Sequence, residues 1–396
     1  MKKYSYNIME LTNKSSYIIN KLMINKFEGD KYSREIKLYY NNLYDLFDNI
    51  DIKDVLSEEE GREIEKNFDI KLSLSKFISE DIRKYIKNKS NVRIKYRLEI
   101  LEREIEVDFF LFESDNFKLE RYIDYLDNRI NMMKLVLYYM IKNSSKECNN
   151  KLQIIVYLTE IEKELPKGRG EIIGPENVNS GYSYVCVKSG LIVVFRREEW
   201  FKVLIHECMH SFGMEFSGMK LNRLNRELGE IFKIRVEINL FEAYTEFWAE
   251  LINIGVISYV NNVRNKRNYY RYVEKFLDIE RYYSIFQAKK ILEYNKIDYK
   301  NILEKDTKYK ENSSIFSYYI IKSIMMININ KIVEWCYKNN KNFIKFENNN
   351  SNLKSFLRLI REISENNKSK KILENSNNLL NNNFIGKNLR MSVIEI

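Results

Sequence analysis

Residues 191–213 read LIVVFRREEWFKVLIHECMHSFG, and the change of period inside this stretch sets the fold. Residues 191–195 are a compact apolar run with the length of a buried strand. Glu198 and Glu199 then open a helix that runs through His210 to about Phe212, with Gly213 as its stop, since acidic residues in a first turn suit the helix dipole. His206 and His210 stand four apart, so their imidazoles project from one face, one turn from each other. Glu207 lies about 100° round from His206. The chain contains only 2 histidines, and this motif uses both. Two imidazoles so placed can grip one tetrahedral zinc ion, one per chain. The ion acidifies its water, and a nearby carboxylate such as Glu207 takes the proton and passes it to a leaving amine. The flanks Val203, Leu204, Ile205, Met209 and Phe212 are apolar, as a buried active-site helix requires. Cys208 points about 200° away from His206 and is assigned to core packing.

Outward from this helix, residues 92–100 and 105–111 alternate apolar and charged positions and predict two paired strands. Residues 117–142 carry Tyr122, Leu126, Ile130, Met133, Leu137 and Met140 at helical spacing. A strand at 152–158 follows, then a loop-rich stretch at 168–189 with five Gly or Pro residues. Further helices are expected at about 226–254, with Gly255 as a stop, at 270–294 and at 315–337. The reading is α+β: a mostly helical region at 1–90, a catalytic domain over 91–340, and an Asn/Lys-rich, solvated tail at 341–396. The catalytic domain would hold a small mixed sheet with an edge strand, the histidine helix and a helical C-terminal subdomain.

Two histidines leave a zinc site one protein ligand short. With no other histidine in the chain, the third ligand must be a carboxylate or, less favourably, a thiolate. Residues 241–250, FEAYTEFWAE, place Glu242 and Glu246 one turn apart on a helix that is otherwise largely apolar. A carboxylate there is costly unless it is paired or metal-bound. Glu227, Glu230 and Glu237 are weaker candidates because their surroundings are more polar.

The fragment HECMHSFG resembles the start of the metzincin pattern, but that pattern needs a third histidine at position 216, where this chain has Phe216. The segment Glu242-Ala243-Tyr244-Thr245-Glu246 instead resembles the Glu-Ala-x-Ser/Thr-Asp/Glu box of thermolysin-like gluzincins. That resemblance implies a zincin-like fold and zinc-dependent peptide hydrolysis. It also implies Glu242 as third ligand and Glu246 as the acceptor that orients one histidine, with the reverse assignment of the two glutamates still open. In zincins an edge strand beside the active-site helix pairs with extended substrate; either 191–195 or 177–187 would serve, and Asn179 would then clamp the substrate backbone. Thermolysin-like enzymes carry a downstream histidine for the oxyanion, which this chain lacks. A tyrosine or an arginine is the expected replacement donor, with Tyr318 or Tyr319 as the candidates. Residues 150–335 are also similar to predicted metallopeptidases of large DNA viruses.

Composition limits the alternatives. The net charge is +10, yet no basic stripe with interleaved aromatics accompanies it, so nucleic acid is not an expected partner. The 4 cysteines are too few and scattered for a disulfide framework, which points to a reducing, cytoplasmic setting, in a host cell or virion. Residues 1–21 lack the continuous apolar run of a secretory signal. Residues 315–335 are interrupted by Lys322, Asn328, Asn330, Lys331 and Glu334, too polar for a membrane span. The expected partner is a peptide or protein substrate. The competing readings are a zinc-containing structural or virion protein without catalysis, against which the retained Glu207 argues, and a basic nucleic-acid-associated protein.

Overall fold

Among the described residues, seven strands form one mixed sheet: β1 (Val55–Ser57), β2 (Glu63–Lys66), β3 (Val92–Ile100), β4 (Arg103–Leu111), β5 (Lys151–Tyr157), β6 (Gly181–Ser183) and β7 (Ser189–Val194). Their spatial order is β1-β3-β4-β5-β7-β6, with β2 also on β3. This computed structural model describes residues 10–22, 31–50, 55–57, 62–66, 68, 70, 77–112, 119–168, 170–374, 379–380 and 383–396. The expected lack of a secretory signal falls partly on residues 1–9, which lie outside the described residues.

The alternating pattern at 92–111 becomes the β3–β4 hairpin. Its turn residues Leu101 (φ 49°) and Glu102 (φ 63°) are both left-handed, as a two-residue type I′ turn demands. β4 and β5 are parallel, joined through the helix Leu119–Asn143, and β5 and β7 are parallel in turn. β6 runs back antiparallel to β7 and ends the sheet. The edge strand thus lies within 177–187, and the alternative at 191–195 is corrected, because β7 is enclosed between β5 and β6. One face of the sheet carries the main core; on the other, Ile82 and Ile86 of the helix Glu80–Lys89 pack with Phe110, Tyr157, Tyr182 and Val193.

The histidine helix follows β7 and spans Trp200–Ser211. It starts later than expected. Glu199 precedes it in a left-handed conformation (φ 57°), and neither Glu198 nor Glu199 sits in the first turn. Their carboxylates face inward instead. Glu198 accepts from the Lys163 backbone N–H at 2.8 Å, and Glu199 accepts from the backbone N–H groups of Met391 and Ser392.

Three other expectations change in tertiary context. The single helix expected at 226–254 is two, Asn222–Ile231 and Leu240–Val260. Gly255 does not stop the second. It lies inside the helix, where an added Cβ would run into Leu43 and come within 3.4 Å of Tyr40 Cε1, both on the helix Arg34–Asp48. Gly255→Val is therefore expected to lower stability by about 1–3 kcal/mol through overpacking, read from urea unfolding midpoints. The first 90 residues include the helices Asn13–Lys21, Arg34–Asp48 and Glu80–Lys89, but β1 and β2 belong to the sheet.

The solvated tail is also corrected. Within the helix Asn350–Glu365, residues Leu353, Phe356, Leu357, Ile360 and Ile363 are buried, an apolar stripe hidden in Asn/Lys-rich composition. Residues Leu389 to Ile394 are buried as well, with Glu280 accepting from the Val393 and Ile394 N–H groups and Asn253 donating to the Ile394 carbonyl. Cys148 and Cys186 form a disulfide, whereas Cys208 and Cys336 are free and buried. Cysteine usage therefore no longer argues for a reducing compartment. No helix among the described residues is long and apolar enough to cross a membrane.

Candidate metal centre

The helices Trp200–Ser211 and Leu240–Val260 pack against each other and bring three side chains to one point. His206 Nε2 and His210 Nε2 are 3.2 Å apart, and each is 3.3 Å from Glu242 Oε2. Among the described residues these three form the one cluster of His, Cys, Asp and Glu ligand atoms close enough to hold a metal ion. Ligands about 2.0–2.1 Å from a tetrahedral ion stand about 3.3–3.4 Å from one another, which is the spacing these atoms already have.

The outer contacts say why the triangle faces inward as acceptors. His206 Nδ1 lies 2.8 Å from Glu246 Oε2, and His210 Nδ1 lies 3.3 Å from Glu215 Oε1. A carboxylate can only accept, so each imidazole donates from Nδ1, and on metal binding its Nε2 would be the nitrogen left to ligate. Glu242 Oε2 adds a third lone pair, and it is a buried oxygen with no hydrogen-bond donor. Two imidazole nitrogens and a carboxylate oxygen converging at this spacing suit a cation, which would take the place of any proton on Nε2. Burial lowers the His206 imidazole to about 4, favouring its neutral form, whereas at His210 burial is outweighed by the Glu242 and Glu215 carboxylates, which raise it.

Glu207 occupies the next position on the helix and belongs to the same cleft of about 340 Å³ as His206, His210 and Glu242. Ser183 Oγ, on the edge strand β6, donates to Glu207 Oε2 at 2.8 Å and is 3.1 Å from the Glu207 carbonyl. Burial pushes the Glu207 carboxyl up to about 7, in the range useful for proton transfer near neutrality. Strand and glutamate touch closely: a Cβ on Gly181 would lie 2.9 Å from Glu207 Oε1 and 3.0 Å from the Val193 carbonyl. Only glycine lets β6 approach so near.

The other residues named from sequence fall into two groups. Glu246 reaches His206, as described, and its second oxygen Oε1 meets the Lys202 ammonium. Asn179 lines the cleft, with Oδ1 accepting from Ser313 Oγ at 3.1 Å. Tyr318 is half-buried in the cleft, its ring centroid 6.0 Å from that of His206. It sits on a π-helical turn, Phe316–Ile321, a wider winding that re-aims side chains and recurs at functional sites. Tyr319 is not brought to the site: it is buried and donates to the Leu389 carbonyl at 2.5 Å. Glu227, half-buried, pairs with Arg223 and the exposed Glu237 accepts from Asn225; neither belongs to the triangle. Phe216 is fully buried, its ring against Phe241, Tyr244, Phe346 and Phe356.

Sequence reasoning missed Glu215, Lys202 and Ser183. Glu215 had a signal, being the one acidic residue in SFGMEFSG directly after His210. Lys202 had a fainter one, as the single lysine in the apolar run WFKVLI one turn before His206. Ser183 had none, because only strand pairing shows that it meets Glu207.

Fold and site together define an α+β chain with a His-His-Glu cluster, its histidines buried and its glutamate half-buried, that could hold a metal ion. A protein of Acanthamoeba polyphaga mimivirus, bearing the name Uncharacterized protein R210, is similar to this chain at 29% identity over 175 residues. The match covers 43% of this chain and 43% of the mimivirus protein, so it spans less than half of either. It agrees with the expected likeness to proteins of large DNA viruses and carries nothing about activity. No family model matches the sequence, and no solved structure does.

Proposed function

We propose that this protein is a zinc-dependent peptidase with a zincin-like, gluzincin-type site, holding one zinc ion on His206, His210 and Glu242. The observation that carries the reading is the triangle of three acceptor atoms, 3.2–3.3 Å on each side, with Glu207 beside it and an open sheet edge alongside. A zinc ion bound there supplies Lewis acidity, lowering the pKa of water and polarising the scissile carbonyl.

The protein's own groups do the rest. β6 offers its outer edge to an extended peptide, which adds as a further strand through backbone hydrogen bonds. Asn179, beside β6 in the cleft, clamps the peptide backbone. Glu207, held by the Ser183 hydroxyl, takes a proton from the attacking water and returns it to the leaving amine nitrogen. Tyr318, on the wall of the cleft, would donate to the oxyanion in place of a histidine.

The test is direct. Purified protein should contain about one zinc per chain and cleave members of a quenched-fluorescent peptide library. A chelator should abolish cleavage, and added zinc should restore it. Failure to take up metal would overturn the reading, whereas bound zinc without hydrolysis of any peptide would leave a structural zinc protein.

A further inference from the structure

We infer that Lys202 is a positioning residue for the metal-binding His206, acting through Glu246; the inference rests on the metal-centre reading above. Lys202 lies one turn before His206 on the same helix, so both side chains leave the same face. Glu246, on the neighbouring helix, receives both of them: Oε2 takes the His206 Nδ1–H at 2.8 Å, and Oε1 takes the Lys202 ammonium. One carboxylate is thereby held at both oxygens by two residues of the histidine helix.

Burial makes this arrangement consequential. Lys202 is 3% exposed and Glu246 1%. A carboxylate so deeply buried, with an imidazole N–H as its sole partner, would be strongly destabilised, and its rotamer would be set by one bond. Lys202 supplies the compensating charge and the second anchor. A fixed Glu246 in turn fixes the tautomer and tilt of His206, which aims Nε2 at the triangle.

The nearby cations do not substitute for it. Lys163 is paired with Glu199 at 2.9 Å, and Lys322 with Glu250 at 2.8 Å. The C-terminal segment closes over the group: Met391 lines the same cleft as Lys202, and its backbone N–H is held by Glu199. Lys202 thus works as a buried counter-ion rather than as a solvated helix charge.

The experiment compares zinc affinity of the full chain, by competition with a chromophoric chelator, for wild type, Lys202→Met, Lys202→Arg, Glu246→Gln and the Lys202→Met/Glu246→Gln pair. Lys202→Met is expected to weaken zinc binding about 10–100-fold and to shift the visible absorption bands of the cobalt-substituted protein. Lys202→Arg should recover most of the affinity. The double variant should be little worse than the weaker single one, since both changes break one path. Should Lys202→Met fail to fold, Lys202→Gln, uncharged but able to donate, is expected to show the same loss.

Wild-type affinity and an unshifted cobalt spectrum in Lys202→Met or Lys202→Gln would overturn the inference, as would fully additive losses in the double variant. A raised KM for peptide with unchanged zinc affinity would also overturn it and assign Lys202 to substrate contact. Absence of zinc uptake by wild type is a separate result, which defeats the metal-centre reading and this inference with it.

Discussion

Glu207→Gln is expected to keep about one zinc per chain while peptide hydrolysis falls about 10²–10⁴-fold. The amide is nearly isosteric with the carboxylate and accepts the Ser183 hydroxyl through its own oxygen, so the helix and β6 stay in register. Glu207 belongs to the cleft but not to the triangle of acceptor atoms, which is why metal content should not change. What the amide cannot do is take a proton from water. The measurements are metal analysis of the purified variant and kcat on a peptide the wild type cleaves. Wild-type turnover in this variant would remove Glu207 from the chemistry, and loss of zinc would make it a ligand.

Glu242→Ala has the opposite signature: zinc should be lost together with activity. The substitution removes one of three converging acceptors and leaves two Nε2 atoms 3.2 Å apart. A contact that only supports a ligand contributes about 10–100-fold to metal affinity, so loss of a ligand itself should exceed about 100-fold. Zinc affinity by competition titration reads the effect. A suitable control is Glu227→Ala, a half-buried carboxylate paired with Arg223 on the helix Asn222–Ile231. Glu250 is a poor control, because it is fully buried against Lys322 at 2.8 Å. Breaking that pair would cost about 3–5 kcal/mol on its own account. Equal zinc affinity in Glu242→Ala and wild type would return the choice of third ligand to Glu246.

The legible part of the site was the part written within one helical turn. His206, Glu207 and His210 follow from spacing on one helix, and Glu242 and Glu246 from two acidic positions one turn apart in an apolar run. The hairpin at 92–111 was legible for the same reason, since apolar side chains recurring at every second residue line one face of a strand and would scatter round a helix. Tyr318 and Tyr319 could not be separated in sequence. The π-helical turn decides between them, sending Tyr318 to the cleft and committing Tyr319 to Leu389.

Errors arose where a residue's meaning depends on a distant partner. Gly255 reads as a helix stop until Leu43 and Tyr40 are seen against it. Glu198 and Glu199 read as dipole-pairing first-turn residues until their carboxylates are found bonded to Lys163, Met391 and Ser392. Cys148 and Cys186 stand 38 residues apart with no spacing signal, and strand pairing brings them together. The carboxyl-terminal residues were the largest misreading, because Asn and Lys mask a helical stripe whose partners lie on remote helices.

The sequence by itself determined that the two histidines share one helix face with a glutamate between them, and that any third protein ligand must come from another residue type. Periodicity and covalent spacing suffice for that, since the i, i+4 relation is local. Tertiary structure alone decided that Glu242 completes the triangle while Glu246 is shared by His206 and Lys202. It also decided that β6, not β7, is the open edge, and that Ser183 holds Glu207. Those choices depend on how two helices pack and which strand ends the sheet, and on burial that makes an unpaired charge costly.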